Sequence, residues 1–257
     1  MEKGCWDGLI AGTEPLTKKV LKRSCRLSVI SRVGVGLENI DLDFAKKQGI
    51  KVFNTPALLT ESVAELTLGL ILSCLRKIAI ADNSVRRKQW RKEMGSLLEG
   101  KIIGIIGFGH IGKRVAQLLR AFKAKAIFYD ISRKTSSIAT RVPLSTLLKE
   151  SDIISLHVSG KKKIIGGREF KMVKKGVIFI NTSRGSALDE AALVRALCSG
   201  IVAGAGLDVF EREPYKGKLA QFGNCILTPH IGSYAKEARI QMEIKAVENL
   251  LKGLSKL

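Results

Sequence analysis

The glycines of Gly107-Phe108-Gly109-His110-Ile111-Gly112 are spaced to hold a pyrophosphate. The first permits a tight turn, the second lets the backbone approach the phosphates, and the third lets a helix pack closely on its strand. The N-terminus of that helix offers free N–H groups and a positive dipole end to the ligand. Asp130 lies eighteen residues past Gly112, at the end of the apolar run Ile127-Phe128-Tyr129, where it can accept hydrogen bonds from ribose hydroxyls. A bare carboxylate there repels a 2′-phosphate, so the pattern favours NAD over NADP. A structural glycine turn without a ligand is the other reading of the loop. The preceding strand, the following helix and the acid at this distance argue for the cofactor.

Three polar clusters come later: Asn181-Thr182-Ser183-Arg184-Gly185, Asp208-Val209-Phe210-Glu211-Arg212-Glu213-Pro214 and Pro229-His230-Ile231-Gly232. Each follows an apolar run that reads as a strand, and ligands of open α/β sheets bind beyond the carboxyl ends of strands. Taken singly, each polar residue has a bland reading. His230 could cap a strand end, and an arginine or glutamate in a loop is usually solvated. Together, after three strands and with the glycine loop, they describe one reactive site.

The elements that must position these groups alternate regularly. Ile102–Ile106 reads as the strand entering the glycine loop, and a helical pattern runs from Lys113 to Phe122. Further strands are expected at 152–157, 176–180, 202–207 and 225–227. A helix over 190–197 lies between two of them, with Asp189 as its N-cap. Such alternation predicts a mostly parallel sheet covered on both faces. Before it, strands are expected at 8–12, 27–31 and 51–53, with helices at 17–22 and 43–48 and a glycine turn at Val33-Gly34-Val35-Gly36. A long helix should span 60–76, with Ala64, Leu68, Ile71, Leu72 and Leu75 on one apolar face. A basic, polar stretch then runs through Trp90 to Glu99, and an amphipathic helix over 235–251 closes the chain.

The bulk composition narrows the class. At 257 residues and 46% hydrophobic, the chain suits one large or two modest folded domains. No apolar run is long enough to span a membrane, and the N-terminus lacks the pattern of a signal peptide. The 5 cysteines are scattered, without a CxxC pair, so neither a metal site nor a disulfide framework is expected and a reducing cytoplasm is the simplest setting. The net charge of +21 could serve nucleic acid or an anionic surface. The basic residues are dispersed, however, and no aromatics interleave with them to stack bases, so nucleic acid is not the expected partner.

Taken in order, these motifs resemble the D-isomer-specific 2-hydroxyacid dehydrogenase family, which includes phosphoglycerate dehydrogenase. The likeness rests on Gly107 to Gly112, Asp130, Asn181 to Gly185, Leu207-Asp208-Val209-Phe210 with Glu213-Pro214, and Pro229 to Gly232. Arg32 to Asp41, Asn54-Thr55-Pro56 and Ala64-Glu65-Leu66-Thr67 fit it too. It implies an α/β fold with a Rossmann-type NAD-binding domain, 55–234 with the connecting helix 60–76, inserted in a smaller flavodoxin-like substrate domain, 1–54 and 235–257.

The resemblance implies a catalytic trio of Arg184, Glu213 and His230. A histidine near neutral pKa takes the hydroxyl proton as hydride leaves C2, and returns it in the reverse direction. Glu213 orients the imidazole and favours its protonated form, while Arg184 grips the substrate carboxylate with a planar fork. The cofactor side is implied to include Gly107, Gly109, His110, Ile111, Gly112, Asp130, His157, Val158, Thr182, Ser183, Arg184, Asp208, His230 and Gly232. Many relatives carry threonine at the position of Val158. Val33, Gly34 and Val35 are implied to present backbone N–H groups to the substrate carboxylate, alongside Arg184 and His230. The expected reaction is hydride exchange between NAD and a D-2-hydroxy acid resembling 3-phosphoglycerate, in a cytoplasmic homodimer with helix 66–75 either as a contact or with its apolar face buried within one subunit. The alternatives are an NAD(H)-sensing corepressor-like protein and an inactive truncated relative. The last follows from the chain's start, which falls about forty to fifty residues late against the family pattern of a flavodoxin-like substrate domain.

Overall fold

The computed structural model describes residues 5–56 and 58–255. Met1–Gly4, on which the reading of the N-terminus falls, and the last two residues of the expected substrate domain lie outside the described residues. Contacts divide the chain into Met1–Leu59 with Ser233–Leu257 and a continuous Thr60–Gly232.

In the smaller unit β1 (Gly8–Ala11), β2 (Val29–Arg32) and β3 (Lys51–Phe53) form a parallel sheet in the order β1-β2-β3. Parallel strands need crossovers, supplied here by the short helices α1 (Lys18–Leu21) and α2 (Leu42–Lys47). Asp41 caps α2 by accepting from Phe44 N–H at 2.9 Å. Neighbouring side chains of a strand face opposite ways. Ile30 accordingly packs with Leu16, Leu21 and Phe44, while Val29 faces the C-terminal helix Lys236–Leu254. That helix lies close to the sheet because glycines leave room: a Cβ at Gly253 would meet Val29 Cγ1 at 2.7 Å, and one at Gly8 would meet Leu250 Cδ1 at 2.7 Å.

The larger unit begins with α3 (Thr60–Arg76) and α4 (Ile78–Arg86). It continues through β4 (Ile102–Ile106), α5 (His110–Ala121), β5 (Lys125–Tyr129), β6 (Thr140–Arg141), α6 (Leu144–Glu150), β7 (Ile153–Leu156) and α7 (Gly167–Phe170). It ends with β8 (Val177–Asn181), α8 (Glu190–Cys198), β9 (Val202–Leu207) and β10 (Cys225–Leu227). The sheet is parallel throughout, in the order β10-β9-β8-β7-β4-β5-β6. The chain builds outward from β4 to β6, then crosses over and builds the other way from β7. The β4/β7 junction is thus the point where strand order reverses and where such sheets bind ligands. Leu147, Ile154, Phe179 and Leu193 fill the core on one face, and Ile71, Ile105, Leu119 and Ile180 fill the other.

Helix α3 spans the residues that its periodicity predicts, but its apolar face is spent inside the unit. Ala64, Leu70, Ile71 and Leu75 are buried among residues of α5 and the sheet. Leu66, Leu68 and Leu72 of the same helix are only partly buried against this core. Sequence reasoning also missed α4, α6 and α7. Of α4 the structure buries only Ser84 and exposes Ile78 and Val85, so no core-facing stripe marked it. Helix α5 starts at His110, three residues earlier than its apolar pattern suggests, because the glycine loop itself makes its first turn. Among the described residues no helix is long and apolar enough to cross a membrane.

Candidate active site

At the end of β4 the chain turns sharply at Gly107, whose φ of 93° is costly for any residue with a side chain. A Cβ there would collide with His157 O, and one on Gly112 would collide with Gly107 O. These contacts hold strand, loop and helix together. Gly109 differs: nothing lies within 4 Å of where its Cβ would be, and as N-cap of α5 it makes no side-chain cap bond. The N-terminus of α5 therefore has no capping side chain at Gly109, with exposed His110 and half-buried Ile111 in the first turn. Such a cradle suits a dinucleotide pyrophosphate.

Asp130 follows β5 and is only 8% exposed. Its Oδ2 accepts from Phe108 N–H at 2.7 Å and from Lys134 Nζ at 2.9 Å, and its Oδ1 accepts from Ser132 N–H at 2.8 Å. Burial pushes its carboxyl pKa up, but Lys134 and the two N–H groups outweigh this and hold it below the usual value. The sequence suggests a bare carboxylate; the structure gives it an ammonium partner. Sequence reasoning missed Lys134, although the spacing Asp130-Ile131-Ser132-Arg133-Lys134 was the available signal.

His157 follows β7. Its Nε2 lies 2.8 Å from Ser155 Oγ, while Nδ1 is buried with no hydrogen-bond partner. Burial pushes its pKa down to about 3, so the ring is neutral at physiological pH. Val158 beside it is partly buried against the core and offers no polar side-chain atom.

The loop after β8 is tied down by Asn181. Its Oδ1 accepts from Ser183 N–H at 3.0 Å and Ser183 Oγ at 2.9 Å, and its Nδ2 donates to Arg184 O at 3.0 Å. Thr182 Oγ1 pairs with Thr67 Oγ1 of α3 at 2.8 Å. Gly185 packs so tightly on Phe210 that a Cβ would strike its carbonyl. This packing keeps Arg184 beside the loop that carries Glu213, and Arg184 Nη1 donates to Ser183 O at 2.8 Å.

Asp208, 1% exposed, organises the loops after β9 and β10. Its Oδ1 accepts from Thr228 Oγ1 at 2.6 Å and Ile231 N–H at 2.8 Å, and its Oδ2 from Gly232 N–H at 2.8 Å. Ser62 Oγ donates to Gly232 O at 2.6 Å. His230, held between these anchors, has a left-handed φ of 55°. Its Nδ1 lies 2.8 Å from Glu213 Oε2, and Glu213 Oε1 accepts from Phe210 N–H at 3.0 Å. An ionised carboxylate only accepts, so Nδ1 carries the hydrogen and Nε2 is left for a reactant.

The hydrogen bond from Glu213 raises the His230 pKa against the opposing pull of burial. The charges of Glu213 and Asp208 add to it, and Arg184 subtracts. Burial raises Glu213, but His230, the Phe210 N–H and Arg184 bring it below the ordinary carboxylate value. The arrangement is a proton carrier whose cationic form is stabilised by carboxylates, with a guanidinium at hand, able to protonate or deprotonate an oxygen next to a carboxylate. The structure thus brings together Arg184, Glu213, His230, Asp208 and Gly232.

Val33, Gly34 and Val35 belong to the smaller unit. There Val33 N–H donates to Ala11 O at 2.8 Å and Gly34 N–H to Thr55 Oγ1 at 2.8 Å. Both amides are thus already engaged within their own unit. Gly34 has a φ of 143°, and a Cβ on it would collide with the Arg32 guanidinium.

Residues 68–232 match the family model for the D-isomer specific 2-hydroxyacid dehydrogenase NAD binding domain. The chain is 43% identical over 256 residues to the glyoxylate reductase of Thermococcus litoralis, covering 93% of this chain and 77% of that protein. It is 42% identical over 256 residues to the hydroxypyruvate reductase of Thermotoga maritima, covering 96% and 84%. The structure superposes on D-lactate dehydrogenase from Aquifex aeolicus, solved with NAD and lactic acid, with a TM-score of 0.85 and 34% identity over 96% of this chain and 83% of that one. With its glycine cradle, its parallel sheet and these relatives, the chain belongs to the D-isomer specific 2-hydroxyacid dehydrogenase family, whose NAD-binding domain it carries.

Proposed function

We propose that this protein reduces a short 2-keto acid, such as glyoxylate or hydroxypyruvate, to the 2-hydroxy acid at the expense of NADH, and runs the reverse oxidation. The observation that carries this reading is the His230–Glu213 pair at 2.8 Å, with the Arg184 charge acting on both. Nicotinamide, when bound, supplies or accepts the hydride at C2. Arg184 grips the substrate carboxylate and polarises the C2 oxygen, and His230 Nε2 delivers the proton that completes the hydroxyl. Glu213 stabilises the charged imidazole before delivery and orients the ring. Gly107, Gly109, His110, Ile111 and Gly112 hold the pyrophosphate, and Asp130 holds the adenosine ribose. His157, Val158, Thr182, Ser183, Asp208 and Gly232 shape the rest of the cofactor side. The turn Val33–Val35 contributes amides to carboxylate binding in this reading, which requires a substrate to share or replace the bonds of Val33 and Gly34.

The names of the relatives at 43% and 42% identity support short keto acids over a 3-phosphoglycerate-like substrate. The test is NADH oxidation by the purified chain with glyoxylate, hydroxypyruvate, pyruvate and phosphohydroxypyruvate. Turnover fastest with one of the first two is expected. Preference for phosphohydroxypyruvate would restore the phosphorylated substrate, and binding of NADH without turnover of any would overturn the enzymatic reading.

A homodimer in a reducing cytoplasm belongs to the same proposal. The exposed Val85, Trp90, Met94 and Leu97 support a subunit contact along 78–97. All five cysteines are free. A mass of one chain by light scattering at micromolar concentration would refute the dimer.

A further inference from the structure

The smaller unit sets two thiols side by side that the proposed reaction does not use. Cys5 Sγ lies 2.9 Å from Cys25 Sγ, and both cysteines are exposed. Cys5 precedes β1, and Cys25 lies between α1 and β2. Their contact extends a series of bonds between these two segments. Ser24 Oγ accepts from Trp6 N–H at 3.2 Å and donates to Trp6 O at 3.0 Å. Arg26 Nε donates to Asp7 Oδ1 at 2.9 Å, and Ser28 N–H and Oγ donate to Asp7 O at 2.9 and 2.8 Å. The paired strands follow, with Gly8 opposite Val29. Among the described residues β1 pairs with β2 alone, so these bonds are what hold an edge strand in place. At its other end Ala11 O accepts from Val33 N–H at 2.8 Å.

The remaining cysteines lack this arrangement. Burial pushes the thiols of Cys74 and Cys225 up to about 12 and about 11, which suppresses their reactive thiolates. Cys198 is exposed at the end of α8, in the other unit. The Cys25 hydrogen bond and charge raise the Cys5 thiol, because ionising both would set two negative sulfurs together. One ionised sulfur beside one thiol is what stepwise exchange needs.

We propose that Cys5 and Cys25 form a reversible disulfide clasp, which locks β1 onto β2 when low-molecular-weight disulfide accumulates. One sulfur attacks the small disulfide, forming a mixed disulfide and releasing one thiolate. The second loses its proton and attacks the bonded protein sulfur, closing Cys5–Cys25 and releasing the other thiolate. Two protein thiols are oxidised, one small disulfide is reduced to two thiols, and the two protons end on those thiols. The sulfurs approach by less than about 1 Å to bond. A reducing thiol pool reverses the step. The bond closes a loop between residues 20 positions apart, which removes freedom from the unfolded chain. By linkage, folding then favours the bond as much as the bond favours folding.

The experiment equilibrates the full chain with reduced and oxidised glutathione, folded and in urea, and maps the bonds by mass spectrometry of a non-reduced digest. A Cys5–Cys25 link is expected, with an equilibrium constant about tenfold or more larger in the folded chain than in urea. Hydrogen exchange of peptides covering 8–11 and 29–33 should slow by about tenfold or more in the linked form, with those from 60–232 unchanged. Reduction should reverse this. Cys5→Ser and Cys25→Ser should each abolish the slowing and leave the remaining thiol carrying glutathione, whereas Cys198→Ser should keep it. Thiols that stay unlinked, or that join separate copies of the chain, would overturn the clasp. So would a link that forms as readily in urea, or one that leaves exchange in β1 and β2 unchanged. Neither NADH nor a keto acid enters the test, so its outcome is separate from that of the turnover assay.

Discussion

His157 follows β7 and His230 follows β10, both at carboxyl ends of the same parallel sheet. The ring of His157 has a serine hydroxyl at 2.8 Å and an unpartnered Nδ1, and burial drives its pKa down to about 3. The ring of His230 is half-exposed and bonded to Glu213 at 2.8 Å, and its pKa is raised. Position at the end of a strand is shared; a carboxylate partner is not. Burial without a charge favours the neutral ring, and a carboxylate within hydrogen-bond reach favours the charged one. The comparison teaches that which histidine has its charged form stabilised is decided by the β9 loop, which delivers Glu213, and not by the strand on which the histidine sits.

The sharpest break of this comparison removes the charged ring. His230→Ala should lower kcat by about 10²- to 10⁴-fold, the range of a positioned acid–base group. NADH binding, measured by fluorescence, should persist, since the glycine cradle is untouched. A variant that keeps more than about a tenth of the wild-type kcat would place the proton elsewhere.

Arg184→Lys comes next. It keeps the charge that acts on Glu213 and His230 but loses the planar fork. Losing a charge-assisted contact costs about 1.5–3 kcal/mol, roughly ten- to a hundredfold in kcat/KM. Most of it should appear as a raised KM for the keto acid, with the pH profile unmoved. A shifted pH limb would mean that the guanidinium matters to the histidine through geometry as well as charge.

Glu213→Gln tests the difference between the two histidines directly. Rate should fall only about two- to tenfold, since this bond is partly exposed. The diagnostic is the pH profile. In the proposed reaction reduction needs the protonated His230, and Glu213 keeps it protonated to higher pH. With the amide the His230 pKa drops, so the alkaline limb of keto-acid reduction moves to lower pH. Oxidation needs the neutral ring, and its acid limb moves in the same direction. Limbs that stay in place would show that another group titrates.

Much of this site is legible in the sequence because its parts obey local rules. The glycine loop announces a turn that only glycine tolerates, as Gly107 with its φ of 93° shows. Strands β9 and β10 are bounded as their apolar runs predict, and Asp189 caps α8 through Ala192 N–H. What the sequence hides is set by distant partners. Nothing near Asp208 indicates that it would gather Thr228, Ile231 and Gly232 from 20 to 24 residues away. Thr67 looks like one more helix residue until Thr182, 115 positions on, pairs with it. The pairing of Asp130 with Lys134 is short in sequence, yet it depends on a loop conformation that no periodicity encodes. Helix α4 is hidden for the opposite reason, since it buries almost nothing and so leaves no stripe.

The smallest expected effect belongs to His157. His157→Gln replaces a neutral ring that has no proton to exchange near neutral pH by another neutral polar group. Both pH limbs should stay where they are, and kcat should change by no more than about threefold, far below the acid–base range. What can change is NADH binding, because the backbone of His157 closes against Gly107 and the substituted side chain must fill the same space. A limb that moved with His157→Gln would mean that the two histidines titrate as a coupled pair, and the division of labour between the β7 and β10 ends would dissolve. Combining it with Glu213→Gln separates the cases. Independent rings give the Glu213→Gln profile unchanged, whereas coupled rings give a profile that neither single substitution shows.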